Sequence, residues 1–114
     1  MSVSAYTLKQ IIAFSREKPK EKRLWLERQH SLKPRCHYCK CKTTLEPRGY
    51  STHSNQPGSL HATLDHVIPL SKRGRDIHDN WVLACFTCNM LKADMPAHKY
   101  IAELKAAGVT GCRA

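Results

Sequence analysis

Acidic residues are scarce in this 114-residue chain: nine Asp and Glu stand against nineteen Lys and Arg, a formal net charge of +10. So lopsided a balance points to a polyanionic partner, because clustered cations gain free energy by displacing condensed counterions from phosphates. Charge alone leaves nucleic acid and an anionic membrane surface both open. Apolar runs are short as well. None approaches the roughly 20 residues of a spanning helix, and Ile11-Ile12-Ala13-Phe14 is too brief for the core of a signal peptide. The reading is a soluble, cytoplasmic protein with no membrane partner. Aromatic residues are few and are not spaced for base stacking. The length suits one domain, near the size at which small folds need a metal or disulfide staple.

Cysteine, by contrast, is plentiful. Four of the six form two C-x-x-C pairs, "CHYC" at Cys36 and Cys39 and "CFTC" at Cys85 and Cys88. Each pair can present two thiolates to one tetrahedral ion, so the expectation is a structural Zn²⁺ held by Cys36, Cys39, Cys85 and Cys88. Two redox motifs or pairwise disulfides are the competing reading, disfavoured because intracellular thiols stay reduced and a small core benefits from metal. Cys41 and Cys112 are left over. Cys41 is close enough to replace Cys39 as a ligand, and His37 is read as a spectator inside the knuckle.

The pattern predicts a short helix over residues 4–15, capped by Ser4, and a second one opening at Pro19 and reaching about His30. Between Arg16 and Lys42, ten Lys or Arg face three Glu, so this segment carries most of the positive charge. It is a candidate phosphate-contacting surface, or else an ordinary solvated helix face. Residues 43–60 are polar, with two Pro and two Gly, and predict a long loop or loose hairpin. A strand follows from Leu60 to Val67, ended or bent by Pro69. "SKRGRD" then makes a basic turn about Gly74, and "NWVLAC" a second strand. A helix is expected from Thr87–Asn89 to Ala93. The last helix opens at Asp94 and Pro96, with Tyr100, Ile101, Leu104 and Ala107 as its apolar stripe, and closes at Gly108.

"LDHVIPLSKRG", "NWVLACFTCN" and Lys92, taken in order with the first knuckle, resemble the HNH endonuclease family over about residues 36–92. His66, Asn80 and Asn89 fall at the three signature positions, the third being Asn where His is more frequent. Arg75 stands where a second turn glycine is common. Nothing similar covers residues 1–35. The resemblance implies an α+β fold, a small ββα-metal (His-Me finger) core with a zinc-stapled knuckle pair and flanking helices. The division it suggests is a basic helical extension at 1–35, a nuclease domain at 36–108 and a tail at 109–114. It also implies a single catalytic ion between scissile phosphate and departing 3′ oxygen, a 5′ phosphate on the product, and an Asn80 that holds the loop carrying His66.

Chemistry accounts for these residue types independently. Phosphodiester hydrolysis needs a deprotonated water, a Lewis acid and charge relief for the leaving oxygen. Histidine, with an ordinary pKa near about 6.5, is mostly neutral at cellular pH and can accept the water's proton, which makes His66 the candidate general base. Asp65 offers a hard anionic oxygen and Asn89 a neutral carbonyl oxygen, a set suited to Mg²⁺ or Mn²⁺. Lys72, Arg73, Arg75 and Lys92 are candidate phosphate contacts, Lys92 one turn beyond Asn89 on the same helix face. A geometric difficulty accompanies the pair Asp65 and His66. Neighbours in a regular strand point to opposite faces, so the strand is expected to end or twist there.

Two classes of function fit: a zinc-stapled, metal-dependent DNA endonuclease, and a zinc-ribbon nucleic-acid-binding module without catalysis. A hydrolytic base beside two hard-metal ligands favours the enzyme, since a binder has no use for it. DNA is the expected partner, in a bacterial or phage-infected cell. Small size points to low specificity or to a partner protein that directs cleavage.

Overall fold

The computed structural model describes residues 8–45, 59–109 and 112, with the backbone alone for residues 8–17. In chain order it contains α1 (Leu8–Leu32), β1 (Ala62–His66), 3-10 turns at Leu70–Lys72 and His78–Asn80, β2 (Trp81–Cys85), α2 (Phe86–Lys92) and α3 (Ala97–Ala106). This is the small α+β architecture that the sequence predicts. The expected Ser4 cap, most of the 43–60 loop and most of the 109–114 tail lie outside the described residues.

β1 and β2 pair antiparallel, with Ala62 opposite Cys85, Leu64 opposite Leu83 and His66 opposite Trp81. Opposed residues share a face, so Leu64, His66, Trp81 and Leu83 lie on one side and Thr63, Asp65, Val82 and Ala84 on the other. Each face buries its own cluster. Leu26 of α1 packs with Ala62 and Leu83, joined by Trp25 and Leu45. On the opposite side Ala84 meets the knuckle cysteines, Tyr38, and Ala97, Tyr100 and Leu104 of α3.

Two separate N-terminal helices were expected, and the chain forms one, running through Pro19. A mid-helix proline removes one backbone donor and crowds the carbonyl one turn earlier, at a cost of about 3 kcal/mol. Helix-favouring Lys, Glu, Arg and Leu surround it, and Trp25 and Leu26 anchor the later turns to the sheet, so the helix continues. Trp25 meets Trp81 edge to face at 5.8 Å.

The remaining boundaries shift by a residue or two. α2 begins at Phe86, where the Cys85 sulfur caps it by accepting from the Cys88 N–H at 3.3 Å. α3 begins at Ala97 after Pro96 and ends in a Schellman motif. Gly108 sits at φ +80, its N–H donates to Lys105 O, and the Val109 N–H donates to Leu104 O. Tyr100 and Leu104 are buried and Ile101 half-buried as the stripe predicts, but Ala107 is exposed because it already belongs to the cap.

Candidate active site beside a four-cysteine cluster

Cys36, Cys39, Cys85 and Cys88 converge, with all four sulfurs within 4.8 Å of one another and all four side chains buried. Cys39 Sγ lies 3.8 Å from Cys85 Sγ. Tetrahedral Zn²⁺ with Zn–S bonds of about 2.3 Å requires sulfurs about 3.8 Å apart, so the residues present fit the ion. A further observation agrees. Among the described residues the buried Tyr100 hydroxyl has no hydrogen-bond partner, and burial first, then the nearby Cys88, raises its ionisation. A metal-bound thiolate is the acceptor such a hydroxyl lacks.

Cys41 takes no part in this cluster. It forms a disulfide with Cys112, which corrects its suggested exchange with Cys39 as a ligand. The knuckle turn carries Cys41 past the metal position: Cys36 N–H donates to Cys41 O, and Lys40 adopts φ +65. His37 is no ligand either. Burial, then Lys40, lowers its pKa, and its backbone N–H donates to Leu83 O.

Asn80, at the end of the second 3-10 turn, is buried and spends its whole amide on the loop after β1. Its Nδ2 donates to Ile68 O at 2.9 Å and to Arg75 O at 2.8 Å, and its Oδ1 accepts from the Ile68 N–H at 2.9 Å. Gly74 closes the same loop. A Cβ there would stand 1.8 Å from Ile68 O, so the close backbone approach requires glycine. The left-handed residue of this turn is Arg73, at φ +67, and not Arg75. Lys72, Arg73 and Arg75 are all exposed around it.

Asp65, His66, Asn89 and Lys92 wall one pocket of about 280 Å³, together with Leu64, Pro69 and Asp94 among others. The alternation problem resolves unexpectedly. β1 stays regular through His66, so Asp65 and His66 do point to opposite faces. The pocket lies beside the edge of β1 turned away from β2, beyond its short bridge to Thr44, where residues from both faces can border it. α2 crosses that edge and satisfies the Leu64 and His66 carbonyls. Asn89 Nδ2 donates to Leu64 O at 3.3 Å and Lys92 Nζ to His66 O at 2.8 Å.

These bonds also orient the groups. Asn89 Nδ2 has a second acceptor in Thr63 Oγ1 at 2.9 Å, a hydroxyl that donates its own proton to Ala84 O. Both partners of that end of the amide are acceptors, so the nitrogen is there and the carbonyl oxygen is left for a ligand. Asp65 is 5% exposed and accepts from the Tyr38 hydroxyl, whose ionisation is raised by burial and then by this bond. Lys92, 1% exposed, places its ammonium 3.2 Å from the same carboxylate. It therefore neutralises Asp65 from the interior instead of extending toward solvent.

On the other face, His66 Nε2 lies 2.8 Å from Asp76 Oδ1. That oxygen also accepts from Trp81 Nε1 at 3.0 Å, while Lys22 Nζ from α1 lies 2.8 Å from Asp76 Oδ2. Partial burial raises the Asp76 carboxyl, but the bonds to His66, Lys22 and Trp81 outweigh it and hold the group well below the usual carboxylate range.

Sequence reasoning missed Tyr38, Asp76 and Lys22. Asp76 is the single acid of a basic turn, a signal that was present. Tyr38 sits inside a knuckle whose cysteines drew the attention, and Lys22 is one of ten cations in its segment. A family model for HNH endonuclease matches residues 36–94, just over half of the chain. No curated protein matches it.

Proposed function

Because the chain belongs to the HNH endonuclease family, we propose that it hydrolyses DNA phosphodiester bonds with one divalent ion and His66 as general base. The observation carrying this reading is the shared pocket in which Asp65, His66 and Asn89 meet. Asp65 and Asn89 are the residues that would hold Mg²⁺ or Mn²⁺. They fit a hard cation: among the described residues the Asn89 carbonyl oxygen has no partner, and a carboxylate has about four lone-pair directions, more than Tyr38 and Lys92 use. When bound, the ion supplies Lewis-acid stabilisation of the scissile phosphate and the leaving oxygen.

The chain's own groups do the rest. His66 takes the proton from the attacking water, and Asn80 keeps the backbone after it from shifting. Lys92 lowers the cost of an anionic Asp65 in a buried setting and ties it to α2, while Tyr38 ties it to the zinc knuckle. Lys72, Arg73 and Arg75 neutralise DNA phosphates at the rim. The cysteine cluster fixes α2, and so Asn89, against β1.

Incubation of zinc-loaded protein with plasmid and branched DNA over a panel of divalent ions tests the proposal. Mg²⁺- or Mn²⁺-dependent cleavage leaving 5′ phosphates is expected, with Asn89→Ala and Asp65→Ala each losing on the order of 10²-fold or more. DNA binding without cleavage of any substrate under any ion would instead identify a binding module.

A further inference from the structure

The contacts of Asp76 reach past the matched family region. Its three partners come from three elements: His66 at the end of β1, Trp81 at the start of β2, and Lys22 on α1, which lies outside residues 36–94. Trp81 Nε1 and Lys22 Nζ can only donate, and an ionised carboxylate can only accept. With both oxygens engaged as acceptors, the remaining contact must also be a donor. His66 Nε2 therefore carries the hydrogen, and in the neutral ring the lone pair is on Nδ1. No partner for Nδ1 is found among the described residues.

We propose that Asp76 is the positioning residue of the general base, locking His66 in the Nε2–H tautomer so that Nδ1 takes the proton from water, and that Lys22 makes α1 part of this device. The proton passes from water to Nδ1, and the cation so formed faces the Asp76 carboxylate, which remains ionised and stabilises it. Lys22 restrains Asp76 from the far side. Its ammonium and that of Lys18 lie over the Trp81 ring, 6.0 and 5.4 Å from the centroid, so the helix holds the indole that donates to the same carboxylate. Glu21 adds a contact to His78 at 2.8 Å on the same turn. The helix thus reaches the turn before β2 through Lys22 and Glu21, each four residues before one of Leu26 and Trp25, which bury its apolar face.

The inference rests on His66 being the base, and the experiments separate the two ideas. Ring nitrogen NMR of the zinc-loaded wild type at mildly alkaline pH is expected to show His66 as the Nε2–H tautomer, and Asp76→Ala to show a mixture. A wild-type spectrum with hydrogen on Nδ1 overturns the proposal without any variant having to fold. In plasmid cleavage, Asp76→Ala is expected to lower kcat on the order of 10²-fold with KM for DNA and zinc content unchanged. Asp76→Glu should recover part of that loss, and Lys22→Met should lose several-fold. A folded Asp76→Ala with kcat within about twofold of wild type, beside an inactive His66→Ala, refutes the role of Asp76 alone. Losses in kcat and KM together with zinc loss, unrescued by Asp76→Glu, would make Asp76 a structural residue and equally refute it. An active His66→Ala removes the premise instead.

Discussion

At the scale of single residues, the loop after β1 is held by Asn80, whose side-chain amide is wholly engaged. Asn80 replaces three backbone partners at once, so Asn80→Ala leaves Ile68 and Arg75 groups unsatisfied and should cost about 2–4 kcal/mol, read from the urea midpoint. Gly74→Ala should be at least as damaging, because its Cβ meets backbone and not a yielding side chain. Asp76 gives a pH signature. Its folded-state carboxyl lies below the ordinary value near about 3.9, so its contribution is present above that pH and is lost as pH falls through the folded value. The stability gap between wild type and Asp76→Asn should therefore be full at neutral pH and narrow in acid. A gap that stays constant from neutral pH into strong acid excludes this linkage.

At the scale of elements, the four cysteines join the 36–41 knuckle to the β2–α2 junction, and Tyr38 carries that junction to Asp65. Chelation of the zinc that this cluster would hold should loosen α2 and lower the thermal midpoint of the loaded protein sharply, since metal binding and folding are coupled in small metal-stapled cores. Thiol titration of the chelated, denatured protein should find four groups before reduction and six after, because Cys41 and Cys112 are paired. Six before reduction would contradict the disulfide. Much of this was legible in the sequence. C-x-x-C spacing signals a metal whatever the surrounding fold, and the strand, turn, strand, helix order follows from Pro69, Gly74 and the two apolar runs. The side-chain traffic across the edge of β1 was not legible. Whether Lys92 faces solvent or the interior depends on a buried acid 27 residues away, and no local pattern encodes such a pairing. Pro19 misled for a related reason, since tertiary anchoring through Trp25 and Leu26 outweighs a local break signal.

At the scale of the whole molecule, charge and site are arranged together. The basic turn at Lys72, Arg73 and Arg75 follows directly on the strand that carries His66, so binding should depend steeply on salt. Neutralising all three residues should reduce the slope of log K against log salt by roughly 2–3, at about 0.9 per phosphate contact, without loss of zinc. An unchanged slope would move the DNA-binding surface elsewhere, with the cations of α1 as the next place to look. The central claim is hydrolysis by a base on β1 beside a metal site shared with α2. Cleavage of supercoiled plasmid by zinc-replete protein in Mg²⁺ or Mn²⁺, wild type against His66→Ala, tests it most directly. Nicking or linearisation by the wild type, and a loss of at least about 10²-fold in the variant with DNA affinity and zinc content retained, is the expected result. Undiminished cleavage by His66→Ala contradicts it.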